Sequence, residues 1–139
     1  MKNTLYFNRQ RGFTLIELLI VLAIAGLLTR IAYGSYAASV AKGRRNAAQG
    51  CLMEQAQYME RVYTVNMSYA SGTLPAASAQ QCQADLASQY TFSLPAASVT
   101  ASQFTLQASA IGTQSKSDAL CNVMSVDQKG ARSPATGCW

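Results

Sequence analysis

From Phe13 to Leu28 the chain runs through sixteen residues of which only Thr14 and Glu17 have polar side chains. Extending the run to Tyr33 gives roughly 31 Å of helix at ~1.5 Å per residue, enough for a bilayer core of ~30 Å. Beyond it the pattern changes. Ala48, Leu52, Ala56, Met59 and Tyr63 recur at steps of three and four, with Arg45, Glu54, Glu60 and Arg61 available for the other face. The spacing predicts one long helix from about Thr14 to Tyr63, apolar in its first half and amphipathic in its second. Gly26, Gly34, Gly43 and Gly50 each weaken it by ~1 kcal/mol relative to alanine.

The helical period stops near residue 68. Residues 68–89 are rich in Ser, Ala and Gln with Pro75, and read as an irregular connection holding a short helix around Gln83–Ser88. Three strand patterns follow. Tyr90, Phe92 and Leu94 alternate on one side of the first, and Phe104, Leu106 and Ala108 on one side of the second, Gln103–Ala110. The third, Leu120–Val126, turns Met124 and Val126 inward before a turn at Asp127-Gln128-Lys129-Gly130. An antiparallel sheet with one apolar face would cover the amphipathic half of the helix, an α+β arrangement.

Charge sharpens the reading of the first segment. Lys2, Arg9 and Arg11 precede the apolar run, and without residues 1–12 the count is eight basic against six acidic, so the net +5 rests largely on the leader. Basic residues before the run and few just after it orient the N-terminus to the cytoplasm and the remainder outward. The apolar stretch is longer than a secretory signal core, and no small-x-small cleavage site bounds it. Arg30 sits near its far end, where a long side chain can snorkel to the interface. Lys42, Arg44 and Arg45 read as a solvated helix face.

The absence of histidine in the sequence excludes the common Cys/His zinc sites and His-based triads, and the four cysteines contain no CxxC pair. Paired carboxylates, phosphate-binding glycine motifs and G-x-S-x-G are absent from the sequence as well, so neither an enzyme nor a metal or cofactor site is expected. An even number of cysteines beyond a membrane-targeting segment favours disulfides, with three pairings open. A carboxylate near the middle of a hydrophobic helix is costly, and such groups generally have partners. Glu17 lies one turn after Phe13. A cut between Gly12 and Phe13 would create an ammonium beside Glu17 of the same chain or of a staggered neighbour, and the pair would relieve both desolvation costs.

The stretch Arg11-Gly12-Phe13-Thr14-Leu15-Ile16-Glu17-Leu18 resembles the class III signal of type IV pilins and type II secretion pseudopilins. The resemblance implies a leader, residues 1–12, removed by prepilin peptidase after Gly12, with methylation of the new N-terminus at Phe13. It carries the family's threonine onto Thr14 and its assembly glutamate onto Glu17. It implies a membrane and filament-core helix over 13–33 and a periplasmic head over 34–139, in a type IV pilin fold with a disulfide-closed C-terminal loop. That family feature favours Cys121–Cys138, leaving Cys51 to pair with Cys82. Gly34-Ser35-Tyr36 departs from the family's Pro-Ser-Tyr. The segments "AQYMERVY", "YTFSL", "FTLQA" and the terminal Cys-Trp are similar to PilE-type minor pilins.

The implied role is a minor pilin that primes assembly and joins the fibre. Its implied partners are other minor and major pilins, the peptidase, the inner membrane and the assembly platform, with the cell-surface pilus as its destination. Major pilin and secretion pseudopilin are the alternatives within assembly. DNA capture is the alternative of another class, through Lys116, Lys129 and Arg132 with Trp139 for stacking, although Asp118 and Asp127 dilute that charge.

Overall fold

The computed structural model describes residues 12–76 and 79–139. The leader, apart from Gly12, lies outside the described residues. The element order is α1 (Leu15–Asn66), α2 (Gln81–Leu86), β1 (Tyr90–Ser93), β2 (Thr105–Ala110), α3 (Gly112–Ser117), β3 (Val123–Asp127) and β4 (Arg132–Ser133). The chain divides into two compact units, the first ending at Tyr36 and the second covering Ala37–Trp139. In the first unit every described residue is exposed, including Leu15, Ile20, Leu27 and Ile31, and α1 is helical through Gly26 and Gly34. Leucine, isoleucine and alanine around these glycines supply helix propensity enough to offset them.

The second unit is built on the amphipathic half of α1. Ala48, Cys51, Leu52 and Met59 are buried against Tyr90, Phe104, Leu106, Ala108, Met124 and Val126 from the sheet, as their alternation requires. Ala56 and Tyr63 are half-buried at the margin of this core. The sheet is an antiparallel meander in the order β1-β2-β3-β4. Its register sets Phe92 opposite Ala108, and Ala108 opposite Met124. Tyr69, from the connection after α1, stacks on Tyr63 at 4.6 Å and meets Phe104 edge-on at 4.8 Å.

The structure departs from the sequence pattern in four places. The short helix begins earlier than expected, at Gln81, and ends at Leu86. The third strand begins at Val123 because residues Ala119–Cys121 form a 3-10 turn, in which the Cys121 amide donates to Asp118 O at 3.0 Å. Residues 112–117 form the helix α3, which has no apolar periodicity to announce it. The fourth strand is short, and its turn is built by Asp127, whose Oδ1 accepts from the amides of Lys129 at 2.9 Å and Ala131 at 2.8 Å. Gly130 supplies the positive φ of 75° that this turn needs.

Candidate functional site

Two regions carry the residues singled out by sequence. At the first, Gly12 and Phe13 precede α1, and Phe13 is 78 % exposed. Thr14 is the residue just before the helix, and its Oγ1 accepts the Glu17 amide at 3.3 Å. This is an N-cap bond, from the amide in the first turn to the threonine hydroxyl oxygen before it. The acidic side chain in the first turn also faces the positive end of the helix dipole. The Glu17 carboxylate makes no hydrogen bond or ion pair among the described residues, and it stands amid exposed Leu15, Ile16, Leu18 and Ile20.

The second region is the C-terminal end of the head. Cys51 is bonded to Cys82 and Cys121 to Cys138, and each pair of Cα atoms is 5.6 Å apart. The first bridge ties α1 to α2, and the second ties the turn before β3 to the chain's penultimate residue. Arg45 is withdrawn from the solvated face expected for it. Its Nη1 donates to Asp118 Oδ1 at 2.7 Å and contacts Cys121 Sγ at 3.1 Å, with both charged side chains largely buried. The reason is the route of the chain after α3, which carries Asp118 over this face of α1. Gln49 Nε2 donates to Cys138 O, adding a second tether from α1 to the C-terminal loop.

Gln114, on α3, is wholly buried and sequence reasoning passed over it. Its Nε2 donates to Ala41 O at 2.9 Å and to the Tyr90 hydroxyl at 3.1 Å, joining α1, α3 and β1 through one side chain. Burial pushes the Tyr90 phenol above its ordinary pKa, with the Gln114 hydrogen bond pulling the other way. Tyr69 is pushed up to about 12, by burial first and then by its hydroxyl bond to the Glu60 carboxylate. These tyrosines are held protonated and serve packing.

The basic residues considered for DNA lie on separate elements. Arg132 on β4 lies with its guanidinium 5.1 Å from the centre of the Trp139 ring, and the indole Nε1 donates to Ser133 O at 3.2 Å. Lys129 is exposed in the β3–β4 turn. Lys116 is on α3, before β3, and Lys129 follows that strand. Among the described residues no group of three His, Cys, Asp or Glu side chains could hold a metal ion.

Comparison with known proteins draws these features together. A family model for the type IV minor pilin ComP, DNA uptake sequence receptor, matches residues 34–125. The chain belongs to the ComP family of type IV minor pilins. A model of the prokaryotic N-terminal methylation motif matches residues 7–33, the segment containing Gly12, Phe13, Thr14 and Glu17. A solved type IV pilin from Shewanella oneidensis is similar at 34 % identity and a TM-score of 0.53, over 71 % of this chain and 97 % of that one. No curated protein matches the sequence. The pilin head therefore combines a helix, a four-stranded meander and a disulfide near the C-terminus, and its N-terminal apolar helix belongs to a membrane-anchored pilin.

Proposed function

We propose that this pilin is a minor subunit of a type IV pilus that takes part in priming assembly and is incorporated in the fibre. In this reading prepilin peptidase cuts after Gly12, Phe13 becomes the methylated N-terminus, and residues 13–33 hold the chain in the inner membrane with the head, 34–139, in the periplasm. Assembly then moves the apolar helix from lipid into a bundle of other pilin helices. The observation that carries the reading is the apolar first half of α1, exposed on all sides and bearing one carboxylate in its capped first turn. Both lipid and neighbouring helices satisfy such a surface, and water does not. The role is structural, with partners that are other pilins, the peptidase and the assembly platform, and no catalysis is assigned to it.

The test uses the tagged full chain in pilus-producing cells. Sheared fibres should contain it at a small fraction of the major subunit, and Glu17→Ala should leave processing and membrane insertion intact while lowering its amount in fibres. Absence of the unaltered chain from fibres, or an abundance equal to the bulk of their mass, would contradict the minor-subunit reading.

A second reading is favoured by the family's DNA uptake receptor and by the Arg132–Trp139 pair. Here the head also binds DNA, with Arg132 and Lys129 meeting phosphate and Trp139 offering an aromatic face. Base stacking is worth ~1–3 kcal/mol by alanine substitution, so Trp139→Ala should weaken DNA binding by about tenfold or more. Arg132→Gln should weaken it and flatten its salt dependence, each phosphate contact contributing a log–log slope of about 0.7 to 0.9. Electrophoretic shifts across a salt series measure both. Binding that ignores both substitutions removes this reading and leaves the first intact.

A further inference from the structure

Between Phe13 and Ala41 only two side chains carry charge, Glu17 and Arg30. Both belong to α1 in the first unit, both are exposed, and neither makes a side-chain hydrogen bond or ion pair among the described residues. Thr29, the polar neighbour of Arg30, is satisfied by its own helix, since its Oγ1 donates to Ala25 O at 2.7 Å. Helix geometry then fixes the relation of the two charges. They stand about 20 Å apart along the axis and about 140° apart around it. They cannot meet in one chain.

A helix with a carboxylate on one flank and a guanidinium on nearly the opposite flank, at different heights, is complementary to a shifted parallel helix of the same kind. An unshifted copy would set like against like. Contact between unlike patches is heterologous and repeats along an open array without closing. We propose that Arg30 sets the register of this pilin in the fibre by pairing with the first-turn carboxylate of a neighbouring pilin helix displaced by about 20 Å toward its own C-terminus. The proposal rests on the reading of the chain as a pilus subunit.

In the bilayer Arg30 lies three residues before Tyr33 and can reach headgroup phosphate. In a bundle of apolar helices that anion is gone, and an unpaired guanidinium is costly. The chain itself has no other acid before Glu54. A neighbour's carboxylate in the same layer is the anion that fits, and its two oxygens match the guanidinium fork. A carboxylate accepts from more than one donor, so this contact adds to the expected contact of Glu17 with a Phe13 ammonium.

The experiment follows the full chain, tagged, in pilus-producing cells. Arg30→Leu should leave cleavage and membrane level unchanged while its amount in sheared fibres falls about 5- to 30-fold, the range for one interhelical polar contact. Arg30→Lys should retain most incorporation, and Arg30→Glu should lose more than Arg30→Leu. For the partner, two differently tagged copies are co-produced and co-purified in mild detergent. A copy with both Arg30→Glu and Glu17→Gln should be recovered with a copy carrying Glu17→Arg, and poorly with an unaltered one, because neither direction of pairing with the unaltered copy then joins unlike charges. Incorporation of Arg30→Leu at the unaltered level overturns the pairing, as does failure of the swapped copies to associate. A fall in membrane level that accounts for the fall in fibres makes Arg30 a headgroup anchor and overturns it too. Absence of the unaltered chain from fibres indicts the subunit reading instead.

Discussion

Replacing Gln114 by leucine tests whether one buried amide joins the three elements of the head. Gln114 is 0 % exposed and donates to Ala41 O and to the hydroxyl of Tyr90, itself 1 % exposed. The Ala41 carbonyl keeps its helical amide partner after the change, so little is lost there. The Tyr90 hydroxyl is left buried without its partner, at a cost of ~1–3 kcal/mol. For a head of this size each kcal/mol moves the midpoint of thermal unfolding by about 4–8 °C. Near-ultraviolet circular dichroism of the full chain in mild detergent reads that shift. A second substitution isolates the cause. Tyr90→Phe alone should be mildly destabilising, but in the Gln114→Leu background it removes the orphaned hydroxyl and should be neutral or stabilising. The Tyr90 phenol should also titrate higher in Gln114→Leu, because the hydrogen bond that opposes burial is gone. An unchanged midpoint in Gln114→Leu, or a full additive loss in the double variant, would refute the assignment.

Removing Cys121–Cys138, whose cysteines are 17 residues apart, should cost about 3 kcal/mol on chain entropy, and removing Cys51–Cys82, separated by 31, about 3.7. Urea midpoints of the paired serine variants check the order. Asp118→Ala should cost ~3 kcal/mol or more because it strands the buried Arg45 guanidinium, while Arg45→Met with Asp118→Leu should recover much of it; equal losses in both would show that the charge is not the cause. Tyr69 has its pKa raised from the ordinary 10.0 to about 12, so its contribution is present below pH 10 and is lost as pH rises toward 12. Tyr69→Phe should flatten the alkaline limb of the stability curve measured over that range. Gly12→Val should leave an uncut precursor on a gel of membrane fractions, and normal processing would argue against cleavage after Gly12.

The long helix and the sheet were legible because burial imposes a period on sequence, and both halves of the core carry it: Leu52 and Met59 at helical spacing, Leu106 and Ala108 in alternation. What escaped lacks a period. The helix α3 reads Gly-Thr-Gln-Ser-Lys-Ser, and its one buried residue, Gln114, is polar and finds partners in distant segments. Strand β4 is two residues long and exists because Asp127 builds the turn before it. Arg45 sits where an amphipathic pattern assigns water, yet its partner, 73 residues away in sequence, arrives by the course of the backbone.

The first half of α1 shows the opposite case, in which pattern says more than a single folded chain can. An element apolar on every side cannot be satisfied by one sheet, so its lack of a preferred face is itself information about a surrounding solvent or a surrounding set of helices. Against that uniform surface, position becomes the only way to specify register, because sliding one apolar cylinder along another changes the buried area little. A charge that must find its complement at one height makes the energy depend steeply on stagger. Glu17 provides one such mark and Arg30 a second, about 20 Å away on nearly the opposite flank. Two marks on different sides define a direction of stacking as well as a displacement. An unaltered Glu17 with Arg30→Leu should therefore keep whatever contact Glu17 makes with an N-terminus while losing selectivity among staggers. Loss of selectivity would be measured as a broader distribution of cross-links between cysteines placed along neighbouring helices. A distribution as sharp as that of the unaltered chain would mean that apolar packing alone sets the register.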